Sequence, residues 1–276
     1  MNSNSYRYSI FDPAGNVTAL VESDVPVEKQ PAVAAEIMKV YPEVEQVGFV
    51  LFSDRSEGGY DAELRMAGGE FCGNASCCAA VLYVMNLIHS EPDKSIDVKL
   101  RVSGTSEPVF VIVEPVDRDS FSTSIHMPAS VSIIENCFTY NQLSEKLPLV
   151  IMEGISHVII MPESHFYDLV HNPKDAEAAV QKWCNELRTD GLGLMFLNRN
   201  NDAYHLTPLV FVPGSGTTFW ENSCASGSAA VGMVLAQKEG RKIMLTLHEP
   251  GGKLFVECDP VTGKTILSGT VRIVSP

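Results

Sequence analysis

Apolar positions along the chain fall mostly into short runs with β-branched and aromatic side chains, bounded by polar or turn-forming residues. Residues 6–11, 17–21, 46–52 and 63–66 predict strands on this pattern, and 97–102, 109–114 and 124–127 continue it. The second half repeats the style at 157–161, 195–198, 204–212, 243–247 and 254–258. Two stretches switch to helical spacing. After Pro31, the side chains Val33, Ile37 and Val40 share one face; within residues 174–187 the apolar face is read at Ala178, Val180 and Trp183. Gly191 and Gly193 lack the strand–turn–helix setting of a dinucleotide loop and read as a turn.

Two segments repeat each other. Around position 72 the chain reads GGEFCGNASCCAAVLYV, and around position 224 FWENSCASGSAAVGMVL. Each has a loop, a cysteine, three small or polar residues, a serine four places after the cysteine, and an Ala-rich apolar run that predicts a helix packed by small residues. A predicted strand follows each helix and then meets glycine, Gly104 in one half and Gly251-Gly252 in the other. The cysteines are 224 − 72 = 152 residues apart, so each module takes about half the chain. The repeat predicts a pseudo-two-fold pair of domains, with two Cys-headed helices facing one cleft. The expected division is residues 1–130 and 131–276, a boundary that leaves room for the last strand to return to the first domain.

Composition narrows the function. A length of 276 residues suits two domains, and 45% hydrophobic with 20% charged residues is ordinary for a soluble protein. A net charge of −14 argues against nucleic-acid and anionic-membrane partners, because phosphate recognition needs Lys and Arg. The start MNSNSYRYSI lacks a secretion signal, and no apolar run approaches a membrane span, so a cytoplasmic location is expected. The seven cysteines are odd in number, which disfavours a disulfide framework. Cys72, Cys77 and Cys78 lack a Cys/His pair at zinc-binding spacing, so no metal is expected. No pyridoxal lysine or dinucleotide loop is evident, and no cofactor is expected.

A cysteine at a helix start meets unpaired N–H groups and the positive end of the helix dipole, and both favour thiolate over thiol. The same N–H groups can hold a carboxylate. Two helix starts aimed at one amino-acid carboxylate would stabilise the enediolate that forms as the α-proton leaves. A thiolate on one face and a thiol on the other would then invert the stereocentre. Cys72 and Cys224 are the candidate catalytic pair.

At these residues the chain resembles the diaminopimelate epimerase-like family, which includes proline and histidine racemases. Cys72-Gly73-Asn74 matches the first catalytic motif, and Cys224-Ala225-Ser226-Gly227 the second, with Ala225 in place of the usual glycine. The likeness is greatest to the histidine racemases that supply D-histidine for opine-type metallophores. It is carried by DPAGNV at 12–17, EQVGF at 45–49, GEFCGNA at 69–75, WENSCASG at 220–227 and EPGG at 249–252. The resemblance implies an α/β (α+β) chain of two pseudo-symmetric domains, each a barrel-like sheet around a central helix. It implies that Asn16 touches substrate, that Gly73, Asn74, Ala225 and Ser226 cradle its carboxylate, that His157 lies near the cysteines, and that Glu221 and Asn222 hold the α-amino group. Glu45 is the candidate partner of an imidazole. Each also has a structural reading: a turn for Asn16, a half-buried strand position for His157, a solvated loop for Glu221, a solvated strand end for Glu45. Diaminopimelate epimerase carries Asn-Ala-Asp-Gly where this chain has Met66-Ala67-Gly68-Gly69, and an arginine before its second cysteine that is missing here. Those residues serve a distal amino-carboxylate, so histidine is the expected substrate. Racemisation or epimerisation of other amino acids, diaminopimelate among them, stays open, as do a non-catalytic amino-acid-binding protein and a thiol redox switch. The expected partner is a free amino acid, and a homodimer is compatible with the sequence.

Overall fold

The computed structural model describes residues 6–52, 59–87, 95–129 and 132–275. The first half runs β1 (Tyr8–Pro13), β2 (Thr18–Val21), α1 (Gln30–Val40), β3 (Gln46–Phe52), β4 (Ala62–Met66), α2 (Gly73–Leu87), β5 (Ile96–Val102), β6 (Val109–Pro115) and β7 (Ser120–His126). The second runs β8 (Ser132–Tyr140), β9 (Leu143–Ile151), β10 (Ser156–Ile160), α3 (Pro173–Leu187), β11 (Leu192–Asn200), β12 (Ala203–Val212), β13 (Thr217–Trp220), α4 (Ala225–Glu239), β14 (Ile243–Glu249), β15 (Gly252–Cys258) and β16 (Thr265–Ser275).

Strands β1 to β7 pair in chain order, and β16 joins both β7 and β1, which closes an eight-stranded barrel. β16 also pairs with β15, so one strand joins the two halves. Each half contains two parallel crossovers through a helix: β2 to β3 through α1 and β4 to β5 through α2, then β10 to β11 through α3 and β12 to β14 through α4.

The helices divide into two kinds. Residues 73–84 of α2 and 225–236 of α4 are buried without interruption. A helix apolar on every side can only fold inside a sheet that surrounds it, and the run of Gly, Ala, Ser and Cys keeps these two narrow enough to fit. α1 and α3 are amphipathic and cover outer faces. In α3 the buried row is Ala176, Ala179, Val180, Trp183 and Cys184. Ala178 is exposed, contrary to the sequence-based face, because two residues apart on a helix point to opposite sides. Val40 is 67% exposed although Val33 and Ile37 are buried; α1 ends there and the side chain stands clear of the sheet.

Every strand expected from the apolar runs overlaps an observed one. Four strands fall outside those runs. β8 and β9 form a hairpin whose turn, Asn141-Gln142, uses two left-handed residues (φ 45° and 67°), and most of its side chains are partly solvent-facing. β13 is four residues long, and β16 carries few fully buried side chains. Gly193 is not in a turn: it lies inside β11, opposite His157 of β10. A Cβ there would come within 2.4 Å of His157 Nδ1, so the glycine makes room for the imidazole. Among the described residues, no helix is long and apolar enough to cross a membrane.

Candidate active site

Both cysteines cap a helix. Cys224 is the extended N-cap residue of α4, and its carbonyl accepts the Ser228 N–H at 2.8 Å. Cys72 precedes α2 in the same way and accepts the Ser76 N–H at 3.0 Å. Each sulfur also faces the backbone N–H three residues on, Ala75 at 3.4 Å for Cys72 and Gly227 for Cys224. The internal repeat is thus a repeat of geometry.

The two helix starts touch. A Cβ on Gly73 would lie 2.8 Å from Ala225 Cβ, and Asn74 Nδ2 donates across the contact to the Ser223 carbonyl at 3.1 Å. A narrow cleft with about 340 Å³ of free space opens beside them. Both cysteines line it, with Gly73, Asn74, Ala225 and Ser226 from the helix starts and Asn16, Gln46, Glu70 and Glu221 from the walls. A second space of about 610 Å³ shares Gln46, Glu70, Val210, Val212 and Glu221 with the cleft and extends it toward Glu45, Met38, Val47 and Phe219.

An amide network fixes the first-half wall. Gln46 Nε2 donates to Asn16 Oδ1 (2.6 Å) and Thr18 Oγ1 (2.7 Å), and Asn74 Nδ2 donates to the same Asn16 oxygen (3.0 Å). This orientation turns Gln46 Oε1 toward Cys72, whose thiol donates to it at 3.0 Å. Asn16 Nδ2 donates in turn to Glu45 Oε2 at 2.6 Å. Asn222 completes the chain from the other half: its Nδ2 donates to Glu45 Oε1 at 2.6 Å, and its backbone N–H is shared by both oxygens at 3.3 Å. Glu45 therefore bridges the halves and lines the outer space, while the Asn222 side chain is spent on Glu45 and does not line the cleft.

The electrostatics run against the thiolate expected at the helix starts. Burial pushes the Cys72 thiol up to about 12, with Glu221 and Glu70 adding to the rise and the Ala75 N–H opposing it. Burial, then Glu221 and Glu249, raise Cys224 as well. Enclosure and negative neighbours outweigh the helix ends, so both groups are thiols. The carboxylates feel the same enclosure. Burial lifts Glu221 and Glu249 each to about 8 and raises Glu45 and Glu70. No Lys, Arg or His side chain lines the cleft among the described residues.

The candidates separate on this geometry. Asn16, Gly73, Asn74, Glu221, Ala225 and Ser226 line the cleft with the cysteines. His157 does not. It is fully buried on the same face of β10 as Ile155 and Ile159, inside the second sheet, and burial pulls it down to about 3, so it is neutral. Gln46, Glu70 and Glu249 were not anticipated from sequence. Glu70 stands two residues before Cys72 and Gln46 beside Glu45, and that adjacency was the available signal. Glu249 is 25 residues from Cys224 along the chain, and its signal was the EPGG segment at 249–252 that carries the resemblance.

A family model described as the histidine racemase CntK N-terminal domain matches residues 6–276. The chain belongs to the histidine racemase family. The histidine racemase of Staphylococcus aureus strain Mu50 is 29% identical to it, across 100% of this chain and 97% of the relative. That of Fusobacterium nucleatum subsp. nucleatum strain ATCC 25586 is 32% identical, across 82% and 78%. Among solved structures, a hydroxyproline epimerase from Agrobacterium vitis superposes with a TM-score of 0.67 at 13% identity, over 97% of this chain and 89% of that one. A methylitaconate Δ-isomerase superposes with a TM-score of 0.56 at 9% identity, over 98% and 93%. At such identities these two show a shared fold alone. This member of the histidine racemase family is an enzyme of the racemase and epimerase kind, built on the diaminopimelate epimerase-like fold.

Proposed function

We propose that the enzyme interconverts L- and D-histidine without a cofactor, with Cys72 and Cys224 exchanging the α-proton on opposite faces of one carbon. The observation that carries this is the placement of both thiols at helix starts that touch each other and line one cleft. The N–H groups of Gly73, Asn74, Ala225 and Ser226 lie in first turns, where a helix supplies no acceptor, and they suit the substrate carboxylate. The negative charge that accumulates there as the α-proton leaves is stabilised more than the ground state is. Glu221, in the cleft wall, suits the α-ammonium.

The ammonium also answers the raised thiols. A cation entering a cleft walled by carboxylates supplies the counter-charge that a thiolate needs, and one thiol releases its proton to water as the cation binds. The α-proton then moves from carbon to that thiolate, and the opposite thiol gives its proton to the other face. The stereocentre inverts and the two cysteines exchange protonation states. The outer space beside Glu45 suits an imidazole, with apolar walls and carboxylate acceptors. Gly68 lines it where diaminopimelate epimerase has an aspartate, and among the described residues no arginine lines it, so the carboxylate of a second amino-carboxylate head finds no cation. Racemase relatives named for histidine support the same substrate. A reducing cytoplasm is the compartment in which both thiols stay free.

The test is incubation with L- or D-histidine in D2O, followed by chiral chromatography and mass measurement. Racemisation with one α-deuterium incorporated is expected. Cys72→Ser and Cys224→Ser should each lose most turnover, because a hydroxyl is far weaker than a thiol as an acid. A single variant racemising at the parental rate would sink the two-base reading.

A further inference from the structure

The two helix starts repeat each other in backbone but not in charge. Ser76 and Ser228 occupy the same place, four residues after their cysteines. Ser76 Oγ donates to the Cys72 carbonyl at 2.7 Å, inside its own turn. Ser228 Oγ donates instead to Glu249 Oε1, and Oε2 of the same carboxylate accepts the Cys224 backbone N–H at 2.6 Å. Glu249 ends β14 and is buried behind the cysteine. In the first half β5 ends at Val102, and the serine after it spends its hydroxyl on the Met66 N–H and the Glu70 carbonyl. Among the described residues, no carboxylate is hydrogen-bonded to the first turn of α2.

A helix N-terminus favours one anion at its cap. At α2 that place is left to the Cys72 sulfur. At α4 Glu249 already holds it, and Glu221 lies within hydrogen-bonding reach of the Cys224 thiol. We propose that Glu249 is a positioning residue that makes the pair unequal: both cysteines are thiols in the substrate-free enzyme, and Glu249 holds Cys224 the harder to ionise and leaves Cys72 the thiol that ionises first.

The titratable groups around Cys224 are consistent with this. Glu221 faces it from the loop before α4, Glu249 from β14, Cys72 across the cleft, and neutral His157 stands on the β10 face toward α4. Glu221 and Glu249, each near 8, ionise before the Cys224 thiol does, and each then opposes its ionisation. Cys72 faces Glu221 and Glu70 only as neighbours, with neutral Gln46 as its hydrogen-bond partner. The consequence for turnover, that the first proton is taken from the Cys72 face, rests on the racemase reading; the ordering of the thiols does not.

The experiment is alkylation of the substrate-free, full-length protein with iodoacetamide across neutral and alkaline pH, with each cysteine followed by peptide mass. The midpoint of rate against pH is read for Cys72 and Cys224 separately. In the parent the Cys72 midpoint is expected below that of Cys224. Glu249→Gln can still accept the Cys224 N–H and can donate to Ser228, so it removes charge and keeps shape. It should lower the Cys224 midpoint by about one pH unit or more, which is tenfold or more in rate at a fixed pH below it, and leave the Cys72 midpoint in place. A parental Cys224 midpoint below that of Cys72 would overturn the proposal without any variant. So would a folded Glu249→Gln protein, judged by circular dichroism, whose Cys224 midpoint has not moved. Because no substrate is present, midpoints in the expected order from a protein that fails to racemise histidine would remove the activity reading and support this one.

Discussion

Gly73→Ala tests whether the contact between the two helix starts sets the geometry of catalysis. The added Cβ would sit 2.8 Å from Ala225 Cβ and 3.4 Å from both Sδ and Cε of Met127. Methionine can swing away; Ala225 cannot, because its Cβ rides on the backbone of a helix buried over residues 225–236. Two carbons pack at about 3.5–4.0 Å, so the helix starts must part by roughly 1 Å. Overpacking of this kind costs about 1–3 kcal/mol, and the better helix propensity of alanine returns at most ~1 kcal/mol. A Tm lower by a few degrees is expected. The effect on rate should be larger, since a ~1 Å misplacement of reacting groups costs on the order of 100-fold. Racemisation is followed by chiral chromatography from both enantiomers, with Tm measured on the same samples. The family pattern has glycine at position 225, so the double variant Gly73→Ala/Ala225→Gly moves the methyl from one helix to the other and should recover most of the lost rate. Parental kcat in Gly73→Ala, or a double variant no better than the single, would refute the reasoning.

Two further outcomes follow from the same geometry. Glu45→Gln places an amide nitrogen against the Asn16 or Asn222 donors and removes the charge beside the outer space, so kcat/KM for histidine should fall roughly tenfold or more; an equal fall for alanine would show that Glu45 bridges the halves without selecting the side chain. His157, pulled from 6.5 to about 3 by burial, is neutral when folded, so the stability it secures is complete above the unfolded value of 6.5 and lost as pH falls toward 3. The loss reaches about 5 kcal/mol at most, and His157→Leu should move the acid-unfolding midpoint to lower pH; a midpoint unchanged in that variant would mean that other groups govern acid unfolding.

The candidate catalytic pair was legible because every part of its local structure is local in sequence. A cap residue, a small residue after it, a serine on the fourth place and an Ala-rich run specify a buried helix start, and the chain writes this twice. The cleft walls were only half legible. Asn16 and Glu45 are linked by a hydrogen bond between residues 29 apart, and Asn222 reaches Glu45 across 177. No spacing rule predicts either contact. The thiolate expectation failed for a related reason. A helix end is a sequence-local property, whereas the carboxylates that reverse its effect arrive from other strands and loops. Gly193 read as a turn because its partner, the His157 ring, lies on a neighbouring strand. The β8–β9 hairpin escaped because its alternation is half solvated.

The internal repeat places the candidate proton-transfer groups twice but the side-chain space once, and the proposed inversion needs that inequality. Inversion moves a proton from one face of the α-carbon to the other, while the carboxylate, the nitrogen and the side chain can stay nearly where they are. Two helix starts alike in backbone are therefore useful for the proposed inversion; two side-chain pockets would be redundant, since both enantiomers present the same group to the same wall. The outer helices show how the halves differ. α1 faces the outer space with Ala34, Ala35 and Met38, side chains small or flexible enough to leave room. α3 occupies the corresponding crossover and is instead anchored by Trp183, fully buried with its ring 4.9 Å from Phe138 and 5.2 Å from Phe166. An aromatic cluster seals that inner surface. The proposed side-chain space is thus on the α1 side, and the likeness of the two halves is kept at the candidate pair, Cys72 and Cys224.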